Sequence, residues 1–232
     1  MSSILPVFVA LYLALVALLL TVAYSRRLFR WYAAAKGAAS AGFLLLAAAA
    51  WLAHGRAHTT FFLWLLPCLV CCCAGDILLG LANTHGKLFS RFFLGGVAAF
   101  MMAHVFFCVL FTVQRPGGYR FVPAEYLVPA LCVLVMVLCI RDSRRFHKLY
   151  KMRVPGVLYA GFVGLMCAKG IGYGAALGFA GRGLWVALGC VLFLISDAFI
   201  IFLYFYYRER KVFRGINLGA YYLALLFLAL AA

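Results

Sequence analysis

The chain has 232 residues, is 68% hydrophobic and only 11% charged, and has a mean hydropathy of +1.08. Its 21 Lys and Arg against 5 Asp and Glu give a formal net charge of +16. This composition excludes a soluble globular domain and predicts an all-α membrane protein. The basic balance does not indicate nucleic acid, because no aromatic platform or folded basic module accompanies it.

Eight apolar runs follow one another, each long enough to cross roughly 30 Å of hydrocarbon as a helix. They cover Ile4–Tyr24, Tyr32–Ala53, Phe61–Ala82, Phe92–Val113, Val122–Ile140, Val154–Tyr173, Leu184–Tyr207 and Ile216–Ala232. The first begins within MSSILP, which has no Lys or Arg, and is followed by SRRLFR. That is the reverse of a secretory leader, so it reads as a retained helix with its N-terminus outside. The second run contains AAAKGAASAG, whose small residues let helix backbones approach closely, and includes Lys36. The third carries Asp76 within LPCLVCCCAGDILLGLAN, and the fourth carries His104. The turn-rich connector RPGGYRFVP (115–123) leads to the fifth run, where Glu125 beside Pro123 reads as interfacial. The main inner loop, RDSRRFHKLYKMRVP (141–155), precedes a second small-residue run, the sixth, which holds Lys169. The seventh carries Asp197 within VALGCVLFLISDAFIIFLYFYY, and the eighth contains Tyr221-Tyr222.

The spans leave only short loops, so residues 1–232 read as a single polytopic transmembrane domain. Of the 21 basic residues, alternate loops place fifteen on one side and only Arg56, Arg115, Arg120 and Arg182 on the other. This bias supports eight crossings with both termini outside. The inner basic clusters would then meet anionic membrane lipid. The third and seventh spans share a small residue followed by Asp, and each is followed by a basic loop and a Leu-Gly span. A four-plus-four parallel repeat is one reading of this echo and coincidence is the other. All nine cysteines fall within the spans. Cys68-x-x-Cys71 lacks a second pair, so the thiols read as packing residues rather than metal ligands. Nothing indicates a homo-oligomer or a particular membrane: endoplasmic reticulum, plasma membrane and bacterial inner membrane all fit.

Ionisable residues at membrane depth are expensive and are functional candidates by default. Here they are Lys36, Asp76, His104, Lys169 and Asp197, with Tyr32, Tyr159, Tyr173, Tyr204 and Tyr222 as hydroxyl donors. At about 1.5 Å per residue, Asp76 falls in the inner third of its span and Asp197 near the midplane. Asp76, Asp197, His104 and Lys36 could surround one cavity. Lys36 otherwise snorkels to the inner interface. Lys169 reads as a counter-ion to an aspartate or as a residue snorkelling outward, and His104 either as a buried structural histidine or as a site residue. Asp142 and Glu209, among arginines, read as solvated loop charges.

The string Gly75-Asp76-Ile77-Leu78-Leu79 resembles the G-D-x-x-L signature of the YhhN-like lysoplasmalogenase family of eight-helix membrane proteins. Phe92, Gly95, Phe100, Ala103-His104 and Phe107 are similar to its F-x-x-G…F-x-x-A-H-x-x-Y/F segment. Pro155, Val157, Tyr159 and Met166 resemble its P-x-V…Y…M span, Ser196-Asp197 its S-D, and Tyr221-Tyr222 its terminal pair. The order agrees from about residue 35 onward. Two positions depart: Lys36-Gly37 stands where the family has Lys-Pro, and Leu225 where it has Gln.

The resemblance implies hydrolysis of the vinyl ether bond of a lysoplasmalogen, giving a fatty aldehyde and a glycerophospho-base. Such chemistry asks for a proton on the distal alkene carbon and for stabilisation of an oxocarbenium ion. Two carboxyl groups with different roles can supply both, as in glycosidases, and no metal or organic cofactor is called for. An apolar wall favours a neutral carboxyl group, which points to Asp197 as the acid and Asp76 as the ionised partner. His104, Lys36, Tyr159 and Tyr222 would support or orient them, and Lys87, Arg91 or Arg208 would meet the lysophospholipid head group. The same buried charges also fit a proton-coupled transporter of small molecules or lipids. Against that reading, no paired Gly/Pro breaks mark discontinuous helices.

Overall fold

The structure, a computed structural model, describes residues 4–207 and 211–232. The described residues are all-helical, with eight long helices as the sequence predicts. The helices are α1 (Ile4–Tyr24), α2 (Tyr32–Ala53), α3 (Thr59–Thr84), α4 (Arg91–Val113), α5 (Ala124–Arg141), α6 (Arg153–Ala176), α7 (Arg182–Phe205) and α8 (Lys211–Leu230). Each of the eight is long and apolar enough to cross a membrane. The largest boundary difference is at α8, which starts at Lys211 rather than Ile216. Lys and Arg favour an interface and still form helix, so the apolar run understates the element. The helix α7 ends at Phe205 because Tyr206 is extended and bridges Phe146 in the loop before α6. All nine cysteines are in thiol form, outside any disulfide.

The chain forms two compact units. One comprises Met1–Leu110 with Leu225–Ala232, and the other Phe111–Ala224. In the first unit α2 packs against both α1 and α3. Small residues make these approaches possible. A Cβ on Gly42 would lie 3.1 Å from the ring of Tyr12 on α1, and one on Gly80 would lie 2.8 Å from the Cα of Ala33. Helices α3 and α4 meet where Gly75 lies under Phe100 and Gly96 under Leu79. Bilayer lipid is as apolar as leucine, so close van der Waals contact of this kind has to hold the helices together.

The second unit is built the same way. A Cβ on Gly164 of α6 would lie 2.7 Å from the Cα of Pro129 on α5, while Gly170 and Gly174 face Cys190 and the Gly183 carbonyl of α7. Helices α3 and α5 run unbroken through Pro67 and Pro129. Many apolar side chains stay more than half exposed, including Leu11 and Leu18 on α1 and Leu127, Leu131, Leu134 and Leu138 on α5. On α5 this is a continuous stripe at helical spacing, the surface hydrocarbon covers.

The closeness of α2 and α3 can be tested. Gly80→Val drives a branched side chain into the Ala33 backbone and is expected to cost about 1–3 kcal/mol, read as a lower thermal unfolding midpoint in detergent. Gly37→Ala is the control: its methyl would meet only the Ile77 side chain at 3.6 Å, an ordinary contact, and the midpoint should hold.

Candidate functional site

In the first unit, Lys36 and Ser40 stand one turn apart on α2 and therefore share a face. Antiparallel packing brings that face onto Asp76 of α3. The Lys36 ammonium lies 2.7 Å from Asp76 Oδ1, and the Ser40 hydroxyl donates to Oδ2 at 2.6 Å. Asp76 is 0% exposed and Lys36 only 6%. Lys36 thus does not snorkel; it turns inward to the carboxylate. A lone buried charge costs several kcal/mol, and a close counter-charge plus a hydrogen bond offsets that cost. Tyr12 of α1, fully buried, is near enough to feel the Asp76 charge. His104 is also fully buried, one turn along α4 from the Phe100 ring that covers Gly75. Asn83 donates to the Leu79 carbonyl of its own helix at 2.8 Å.

In the second unit, Asp197 of α7 is buried and accepts a hydrogen bond from the Tyr159 hydroxyl of α6 at 2.9 Å. Its neighbour Ser196 is locked to α8. The Ser196 hydroxyl donates to the Asn217 carbonyl at 3.0 Å, and the Asn217 amide donates to the Ser196 carbonyl at 2.9 Å. Tyr222 is buried against Tyr221, their ring centroids 4.8 Å apart at 80°. Because α7 ends early, Asp197 stands eight residues before its helix end, as Asp76 does in α3. Sequence depth had placed Asp197 nearer the middle of its span.

The expected residues therefore divide. Lys36 and Asp76 are joined in the first unit, and Tyr159 and Asp197 in the second. Lys87 and Arg91 are exposed around the turn before α4. Arg208 and Glu209 lie outside the described residues. Sequence reasoning missed Ser40, Tyr12 and Asn217. Ser40 was findable from its spacing to Lys36. Tyr12 and Asn217 carried no signal, since each matters through a neighbour on another helix.

A second polar cluster surrounds Glu125, which lies in the first turn of α5 and is 5% exposed. Its partner is Lys169, at 2.8 Å from Oε2, so that lysine serves a glutamate rather than an aspartate. The antiparallel register of α5 and α6 places the first turn of one beside the lysine near the end of the other. Tyr119, from the connecting loop, also donates to Glu125 Oε2 at 2.8 Å. That bond pushes its phenol up from the ordinary range, with Lys169 opposing. Among the described residues, no group of three or more His, Cys, Asp or Glu side chains gathers to hold a metal.

Eight apolar helices with ionisable groups buried between them define an integral multi-pass membrane protein. Residues 35–232 match the YhhN family, and the chain belongs to it. No curated single protein and no solved structure matches the chain.

The Lys36–Asp76 pair is testable by stability. Lys36→Met strands a buried carboxylate and is expected to cost roughly 3–5 kcal/mol in detergent unfolding. Adding Asp76→Asn to that variant should restore most of the loss, since neither charge is then left alone.

Proposed function

We propose that this protein is a membrane-embedded hydrolase that cleaves the vinyl ether bond of lysoplasmalogens. The observation that carries the proposal is the pair of buried carboxyl groups in unlike surroundings: Asp76 beside a lysine ammonium, Asp197 beside a tyrosine hydroxyl. Family membership and the motif strings around both residues support it. In the proposed reaction a carboxylic acid protonates the distal alkene carbon, and the electron pair of the double bond forms the new C–H bond. The resulting oxocarbenium ion takes up water at the ether-bearing carbon, and a carboxylate removes the excess proton. The hemiacetal then collapses to aldehyde and glycerol hydroxyl. Asp197 takes the acid role and Asp76 the ionised role, because Lys36 supplies a permanent counter-charge to the latter. Tyr159 orients Asp197, while His104 and Tyr222 support the acidic residues. A buried site suits a substrate whose single chain stays in lipid, with exposed Lys87 and Arg91 near the head group. The basic loop bias supports an orientation with both termini outside.

Purified protein incubated with a lysoplasmenyl ethanolamine lipid is expected to release free fatty aldehyde. Asp76→Asn and Asp197→Asn should each lower the rate by ~10²-fold or more, and Tyr159→Phe by about tenfold. No aldehyde from the wild type sinks the substrate assignment. Full activity in both asparagine variants sinks the acidic-residue mechanism.

A further inference from the structure

The cluster around Glu125 has a composition that its own residues do not balance. In the second unit, Arg115, Tyr119, Glu125 and Lys169 gather where the 114–123 loop meets α5 and α6. The Arg115 and Lys169 side chains are 11% and 12% exposed, and that of Glu125 is 4%. Two nearly buried cations thus face one carboxylate, a net charge of one positive unit. Burial of an uncompensated charge is costly, and a nearby counter-anion removes that cost.

The hydrogen bonds are as lopsided as the charges. Glu125 Oε2 already accepts from Lys169 and Tyr119, both at 2.8 Å. Its Oε1 is 3.7 Å from Arg115 Nη1, too far for a hydrogen bond, and that nitrogen donates instead to the Arg120 carbonyl at 2.7 Å. A guanidinium carries five N–H donors and an ammonium three. Arg115 and Lys169 thus keep N–H donors beyond these bonds, while the buried Glu125 Oε1 accepts no hydrogen bond. The geometry holds them in place: Gly117 and Gly118 turn the loop with left-handed φ of 73° and 79°. The Arg115 guanidinium packs on α6 beside Gly172, 3.6 Å from where a Cβ would be. Lys169 is further fixed over the Tyr119 ring at 4.5 Å.

We propose that this cluster is a binding site for a phosphate group. A phosphate offers several acceptor oxygens and negative charge, and a guanidinium fork matches two of those oxygens at once. Arg115 grips the phosphate, Lys169 neutralises it, and Glu125 with Tyr119 holds Lys169 in position. Arg120, whose carbonyl accepts from Arg115, is exposed beside the cluster. The group arrives either as a lipid head group or as free phosphate. The proposal stands apart from the hydrolysis proposed above and needs no turnover.

Calorimetric titration of the intact protein, in uncharged detergent, distinguishes the sources. The probes are inorganic phosphate, a single-chain acyl glycerophosphoethanolamine, and a monoacylglycerol of the same chain. Saturable binding of the phospholipid, at least ~tenfold tighter than the monoacylglycerol, assigns the site to a head group. Binding of inorganic phosphate alone assigns it to the free ion. In either case Arg115→Gln should weaken binding by about tenfold or more. The Lys169→Met/Glu125→Gln double variant, which removes a charge pair together and so keeps folding, should do the same. The proposal is overturned if neither phosphate compound binds, if the monoacylglycerol binds as well as the phospholipid, or if the double variant binds like the wild type.

Discussion

The contact between Lys36 and Asp76 sets the terms for the first unit. A carboxylate among apolar helices cannot be left alone, and a lysine on the adjacent helix satisfies it only if the two backbones come close. The sequence around both residues meets that demand. Ala33, Gly37 and Ser40 on α2 and Gly80 on α3 keep side chains small where the helices touch. Phe100 of α4 then covers Gly75 from the other side. The small-residue stretches and the buried charge are two expressions of one constraint.

The second unit solves a similar problem differently. Asp197 has the Tyr159 phenol beside it, and Glu125 pairs with Lys169. Among the described residues three side-chain carboxyl groups are buried, and their neighbours differ: Lys36 and Ser40 at Asp76, Tyr159 at Asp197, and Lys169, Tyr119 and a more distant Arg115 at Glu125. Unlike surroundings are what allow groups of one chemical type to hold different protonation states at one pH. The proposed division of labour between Asp76 and Asp197 draws on that difference.

Much of this was legible in the sequence because the bilayer imposes it. Hydrocarbon admits only backbones whose hydrogen bonds are internally satisfied, so eight apolar runs translate into eight helices with little ambiguity. The two aspartates stood out for the same reason. What the sequence did not show were partners across helices. Nothing in the order of residues links Glu125 to Lys169, or Asn217 to Ser196; those pairings depend on helix register and rotation. The end of α7 was hidden for a related reason, since Tyr206 leaves the helix to pair with Phe146, a residue far away in the chain.

The reciprocal bonds between Ser196 and Asn217 have a consequence for the residue that follows Ser196. An α-helix advances by about 100° per residue, so a slip of one position along its screw would swing the Asp197 side chain through more than a quarter turn. Bonds running in both directions between α7 and α8 resist sliding and twisting together, since either movement breaks them. They act as a dowel through two rods. The azimuth of the Asp197 carboxyl group is thereby fixed by a serine and an asparagine that need no chemistry of their own.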